Sequence, residues 1–194
     1  MKKICGILSL FLFQGVGLCA PSKDALSVIH SRKSVRNYTD KPVSRESLQI
    51  LLKAGMAAPS AADKRPWAFV VITDKAKLTA LSSQLPYARM LSQAGAAIVV
   101  CGVPAQSLPG SDAAFWVQDC SAVTENILLA AEAIGLGAVW TGVYPGEDRV
   151  KTVQTALSIP SDTIPLSVIP IGYPVGIEQP KKKYDAQKIH WNAW

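Results

Sequence analysis

Histidine is nearly missing from this sequence. Its 194 residues hold two, His30 and His190, beside four cysteines with no CxxC spacing. Imidazole and thiolate ligand sets at short spacing are therefore lacking, which excludes a zinc ribbon, a thioredoxin motif and a covalent haem attachment. Charge is sparse too, at 18% of residues against 49% hydrophobic. That balance is too apolar for a disordered chain and ordinary for a packed core. No Gly-x-Gly-x-x-Gly joins a strand to a helix, so a Rossmann-type dinucleotide site is not encoded. Repeats and low-complexity stretches are lacking as well. One compact domain is expected at this length, large enough to be stable without metal or disulfides.

The chain opens on Met1-Lys2-Lys3, followed by an apolar stretch from Ile4 to Phe13 and small residues at Gly15, Gly17, Cys19 and Ala20. A basic start, a short apolar run and small residues before Pro21 read as a secretory signal peptide over residues 1–20. The run is shorter than the roughly 20 residues a spanning helix needs. Cleavage after Cys19 leaves small side chains at Gly17 and Cys19, whereas a lipid anchor on Cys19 is disfavoured by Leu18. The expectation is an exported protein, periplasmic or secreted, whose mature domain covers residues 21–194 without a stable membrane span. Losing the leader removes two lysines and no acids, so the net charge of +6 falls to +4. Cys101 and Cys120 remain, and both read as small buried hydrophobes rather than a disulfide pair.

Past the leader, helical and extended patterns alternate. Ser22 is the expected cap of a short helix through Ile29, and Ser44 caps the next, where Leu48, Leu51, Leu52 and Met56 form an apolar stripe. Trp67 to Thr73 and Ile98 to Val103 read as strands, with a helix over 75–83 between them. Asp112 to Ile134 is the longest helix candidate. Cys120, Val123, Ile127, Ala131 and Ile134 share one face, and Gly135 supplies the stop. A third strand over Ala138–Val143, a helix over Glu147–Leu157 and a fourth strand over Leu166–Ile171 follow. Helices around a small sheet indicate an α+β or α/β domain.

Three clusters carry candidate chemistry. Arg32-Lys33-Ser34-Val35-Arg36-Asn37-Tyr38 places cations and a hydroxyl within a few residues at a helix end. That is either a phosphate cradle, since guanidinium groups bind phosphate bidentately, or a solvated basic end favoured by the helix dipole. Ala57 to Trp67 joins a helix to a strand through two prolines and several small residues, so another surface can come close. Pro180-Lys181-Lys182-Lys183-Tyr184 reads alone as a solvated basic tail. His30 and Ser31 do not form a hydrolase pair, because sequence neighbours on a helix face different ways. The net positive charge would suit nucleic acid, but no reading motif accompanies it.

In order and spacing together, these segments resemble the nitroreductase family across essentially the whole mature length. The matching features are Arg32-x-Ser34-x-Arg36-x-Tyr38, Ala58-Pro59-Ser60-Ala61 leading to Pro66-Trp67-x-Phe69, and Gly95 to Val100. Asn126 to Gly137, Ile169-Pro170-Ile171-Gly172-Tyr173-Pro174 and His190-Trp191-Asn192-x-Trp194 complete the set.

The resemblance implies an α+β fold with a central, mostly antiparallel sheet flanked by helices, assembled as an intertwined homodimer that binds FMN at its interface. It implies that Arg32, Lys33 and Ser34 hold the flavin phosphate and ribityl chain, with Lys181 and Lys183 closing on the phosphate. Arg36 would sit by the pyrimidine edge, and Pro59, Ser60 and Ala61 would come from the partner subunit. Trp140, Thr141 and Gly142 match the segment whose backbone approaches flavin N5. Asp63 and Arg65 stand where the family often has Asn and Gln, and Lys183 where arginine is common. Reduction adds negative charge at the flavin's pyrimidine end, so a fixed cation there would favour it. No side-chain nucleophile is expected, because the flavin carries the chemistry. The implied activity is oxidoreduction from NADH or NADPH to a nitroaromatic, quinone or similar small acceptor by a ping-pong cycle. Reductive dehalogenation, or flavin binding without turnover, are the alternatives.

Overall fold

The structure is a computed structural model and describes residues 24–194. The leader and Ser22 lie outside the described residues. Within them the chain runs α1 (Ala25–Ser31), α2 (Arg45–Met56), β1 (Trp67–Ile72), α3 (Lys75–Gln84), β2 (Ala96–Gly102), α4 (Trp116–Ala133), β3 (Gly137–Ala138), β4 (Thr141–Gly142), α5 (Glu147–Leu157) and β5 (Ile164–Gly172). Among these residues no helix is long and apolar enough to cross a membrane.

The strands form one antiparallel sheet in the order β1-β2-β5-β3, with β4 also paired to β5. β2 is buried along its whole length, and its period-two alternation feeds two separate cores. Ala96, Ile98 and Val100 pack toward α2 and α4, with Leu48, Leu51, Val123 and Ile127. Ala97, Val99 and Cys101 pack with Leu78 and Leu81 of α3 and Val153 of α5. The result is three layers, helices on either side of the sheet, which explains why β2 reads as an unbroken apolar run rather than an alternating one.

Several boundaries differ from the sequence pattern for local reasons. The cap of α1 is Asp24, whose carboxylate accepts from Ser27 N–H at 3.1 Å. Ser44 caps α2 as expected, accepting from Ser47 N–H at 3.1 Å. The long helix begins at Trp116, because residues Gly110–Phe115 wind as a tighter 3-10 turn. Its C-cap, Ile134, is exposed rather than part of the buried face, and Gly135 at φ 77° turns the chain away.

The third strand splits into β3 and β4 although its register against β5 never shifts. Pro170 is the reason. Ile171 O accepts from Gly95 N on the β2 side, whereas Leu166 O accepts from Val143 N on the other. By alternation Pro170 faces the β3–β4 side, where it has no N–H to give. The ladder lapses there, and Trp140 is left 37% exposed.

Cys101 and Cys120 are free and buried. Burial pushes both thiols up from an ordinary 9.0 to about 12. Since the folded value is the raised one, their contribution to stability is intact below about pH 9 and is lost as pH rises toward 12. In the chain from residue 21 onward, Cys101 and Cys120 should therefore resist an aromatic disulfide reagent at neutral pH and react at once in guanidinium. Prompt labelling of either one in the native protein would contradict the burial.

Candidate active site

The segment after α1 is pinned by its apolar members, which leaves its cations outside. Val35 and Tyr38 are buried, and Val35 N donates to Ala138 O at 3.0 Å. The Tyr38 hydroxyl donates to Val35 O at 2.6 Å with Pro170 O nearby at 3.2 Å, and burial pushes its pKa well up. Ser34 bridges to Ala138. The basic segment thus runs along the end of the sheet beside β3, and Arg32, Lys33, Ser34 and Arg36 all line one cleft of about 350 Å³.

The tail closes the other side of that cleft. Lys181 and Lys183 line it together with Glu178 and Gln179. Five cations and Ser34 from two distant stretches of chain therefore line one small space.

A second cleft of about 380 Å³ shares Arg36 and is otherwise lined by Tyr87, Val139, Trp140, Thr141, Gly142 and Arg149. Thr141 is anchored by its hydroxyl, which donates to Val168 O at 2.6 Å. A larger cleft of about 870 Å³ lies between α1, Glu125 and the tail, again touching Arg32 and Lys181 to Lys183.

Two carboxylates on α4 tie this region down. Arg32 Nε pairs with Glu125 at 3.0 Å, and Lys33 Nζ with Glu132 at 3.0 Å. Glu132 is only 7% exposed and also accepts from Ser31 Oγ at 2.9 Å. Lys33 is thus committed in large part to neutralising a buried acid, leaving little of its donor capacity for the cleft. Arg32 carries five donors and spends one on Glu125.

Pro59, Ser60 and Ala61 line none of these three clefts. They belong to the connection from α2 to β1, where Ala62, Asp63 and Arg65 stand at φ 47°, 54° and 52°. Non-glycine residues reach that region at a cost of about 1 kcal/mol or more each. The loop is held by specific bonds: Ala61 N donates to buried Asp119 at 2.9 Å, and Arg65 N to Ser60 Oγ at 2.9 Å. Asp63 and Arg65 pair with each other, the Nε–Oδ1 contact being 2.7 Å. The Arg65 hydrogen bond holds the Asp63 carboxyl below its usual range.

A family model described as "Nitroreductase family" matches residues 29–85 and 77–173. The chain belongs to the nitroreductase family. The nitroreductase from Methanothermobacter thermautotrophicus described as "Putative NADH dehydrogenase/NAD(P)H nitroreductase" is 45% identical over 172 residues, 88% of each chain. A crystal structure under the same description, from Bacteroides thetaiotaomicron, is 53% identical with a TM-score of 0.83, covering 88% of this chain and 98% of that one. A structure described as an FMN-dependent nitroreductase from Clostridium difficile is 29% identical with a TM-score of 0.80, covering 87% and 99%.

Within this nitroreductase the sequence pattern does not mark Glu125, Glu132, Asp119 and Arg149 as residues of the site. The two glutamates stand seven residues apart, hence on one face of α4, and that spacing was the available signal. Nothing local marks Asp119 or Arg149 as facing a loop or a cleft.

Proposed function

We propose that this nitroreductase is an FMN-dependent oxidoreductase that takes electrons from NAD(P)H and passes them to nitroaromatic, quinone or similar small acceptors in a ping-pong cycle. The observation that carries this reading is Arg36, which lines both a phosphate-sized polycationic cleft and the adjacent one beside Trp140–Gly142. The donor set fits FMN: Arg32, Ser34, Lys181 and Lys183 suit a phosphate, and the second cleft offers an exposed aromatic and strand backbone for a ring.

Bound there, FMN supplies the two-electron redox chemistry. The chain's own work is to bind, orient and polarise. Arg32, Ser34 and the two tail lysines hold the phosphate, and Lys33 keeps the buried Glu132 neutralised so that the segment stays in place. Arg36 fixes a positive charge at the pyrimidine end of the ring, preorganised for charge that develops on reduction. Thr141 and Gly142 present the strand edge to the other end.

The protein works as a homodimer. Pro59, Ser60 and Ala61 lie away from the protomer's own clefts and reach the partner's ring. Ile177, Tyr184, Trp191 and Trp194 of the tail are exposed in one protomer, an apolar load that a second copy covers. Residues 1–20 act as an export leader.

The test is the visible spectrum of the purified protein, before and after anaerobic NADH and then NADPH. A flavin band that bleaches, and recovers on adding a nitroaromatic or quinone, is the expected result. A band indifferent to both nucleotides would point to another donor, and no flavin after reconstitution would sink the assignment.

A further inference from the structure

We infer that Arg149 is a specificity-determining residue that selects acceptors carrying an anionic group on an aromatic ring, such as aryl carboxylates. The inference rests on the oxidoreductase reading above and adds a substrate class to it.

Arg149 stands in the first turn of α5, half-buried, and its side chain is held in place. Its Nε donates to Val143 O at 3.2 Å. The guanidinium packs so close over Gly146 that a Cβ there would lie 2.5 Å from Cζ and 2.6 Å from Nη2. A side chain fixed through Nε still has its two Nη groups, the edge that forks onto a carboxylate.

The cleft it lines differs from the others in charge. Arg36 and Arg149 are its charged members, and no carboxylate lines it among the described residues. The phosphate cleft includes Glu178 and the large cleft Glu125. Two guanidinium groups sharing one small space without an acid are an unbalanced pair that an anion would settle. Trp140 and Tyr87, both exposed, offer aromatic faces in the same cleft. Arg36 belongs to both clefts and serves the cofactor. Arg149 lines only the second, so it is free of the phosphate cradle and available to a ring-bound anion. Aromatic faces beside a free guanidinium edge match a ring bearing a carboxylate better than a neutral ring.

The experiment compares the flavin-loaded wild type with Arg149→Gln and Arg149→Lys, using 4-nitrobenzoate and 4-nitrotoluene as acceptors. Benzoate, which is not reduced, is titrated by its effect on tryptophan fluorescence. Arg149→Gln should lower the ratio of kcat/KM for nitrobenzoate over nitrotoluene about tenfold and weaken benzoate binding similarly, the scale of one charge-assisted hydrogen bond. Arg149→Lys, which keeps the charge but not the planar fork, should recover only part of the benzoate binding. An unchanged ratio overturns the inference, as does a KM shift for NAD(P)H exceeding that for nitrobenzoate. A lowered flavin midpoint potential with both acceptors losing equally also overturns it, by assigning Arg149 to the cofactor. If the wild type holds no flavin, the oxidoreductase reading fails, and the benzoate titration still decides whether Arg149 binds an aryl carboxylate.

Discussion

Replacing Lys181 and Lys183 together by alanine is expected to weaken FMN binding about a hundredfold. A hydrogen bond to a charged partner is worth about 1.5 kcal/mol at the low end of its range, and two of them correspond to ~100-fold in a dissociation constant. Both lysines line the phosphate cleft from the tail side, and both are exposed, so the loss should fall on the ligand rather than the fold. The apo-protein's melting temperature should stay where it is. Exposed cations are screened by salt, so wild-type FMN affinity should fall as ionic strength rises, and the double variant should show a shallower slope. Titration of apo-protein with FMN, followed by flavin fluorescence, reads both. Undiminished affinity would mean that the tail does not close on the phosphate and that Arg32 and Ser34 hold it alone.

That pairing of the tail with residues 32–36 marks where the sequence stops being readable from its own pattern. Each cluster alone suits a solvated basic surface. They become one site only because the chain after β5 returns past the end of α1, and no local signal encodes that return. Only the order of motifs along the chain, which resembles that of the nitroreductase family, points to it. Local elements fared better wherever the signal was local. The bounds of α5 follow from its periodicity, and β2 follows from an apolar run too short for a helix and buried on both faces. Failures came where a distant residue decides. The split between β3 and β4 is caused by Pro170, about thirty positions later in the chain. The partner of Lys33 is Glu132, 99 residues away, which no local pattern announces. Asp63 and Arg65, which replace amide residues common in the family, form their own ion pair inside a left-handed turn. No spacing rule announces that turn, because non-glycine residues seldom adopt it.

Among the glycines of the described residues, the closest approach is at Gly102. Gly102 closes β2 directly beneath the indole of Trp116, the first residue of α4. A Cβ there would sit 2.1 Å from Trp116 Cε3 and 2.8 Å from Cδ2. The indole has little room to retreat: Trp116 is 5% exposed and meets the Tyr144 ring edge-on at a centroid distance of 4.9 Å. Gly102→Ala should therefore cost about 3 kcal/mol, the upper part of the usual overpacking range. In a domain of this size that lowers the melting temperature by roughly 6–12 °C. The clash predicts its own suppressor. Trp116→Leu alone leaves a cavity and is destabilising, yet in that background the added methyl has space. Gly102→Ala should then cost less than about 1 kcal/mol, a coupling that a double-mutant cycle reads directly. Additive losses would place the strain elsewhere. The effect also carries to the site, since Tyr144 follows Gly142 by two residues. An indole displaced by the new methyl pushes on the Tyr144 ring that it meets edge-on, two residues from the end of β4, so Gly102→Ala should also shift the visible band of the bound flavin. Gly102→Ala/Trp116→Leu should return the band toward its wild-type position.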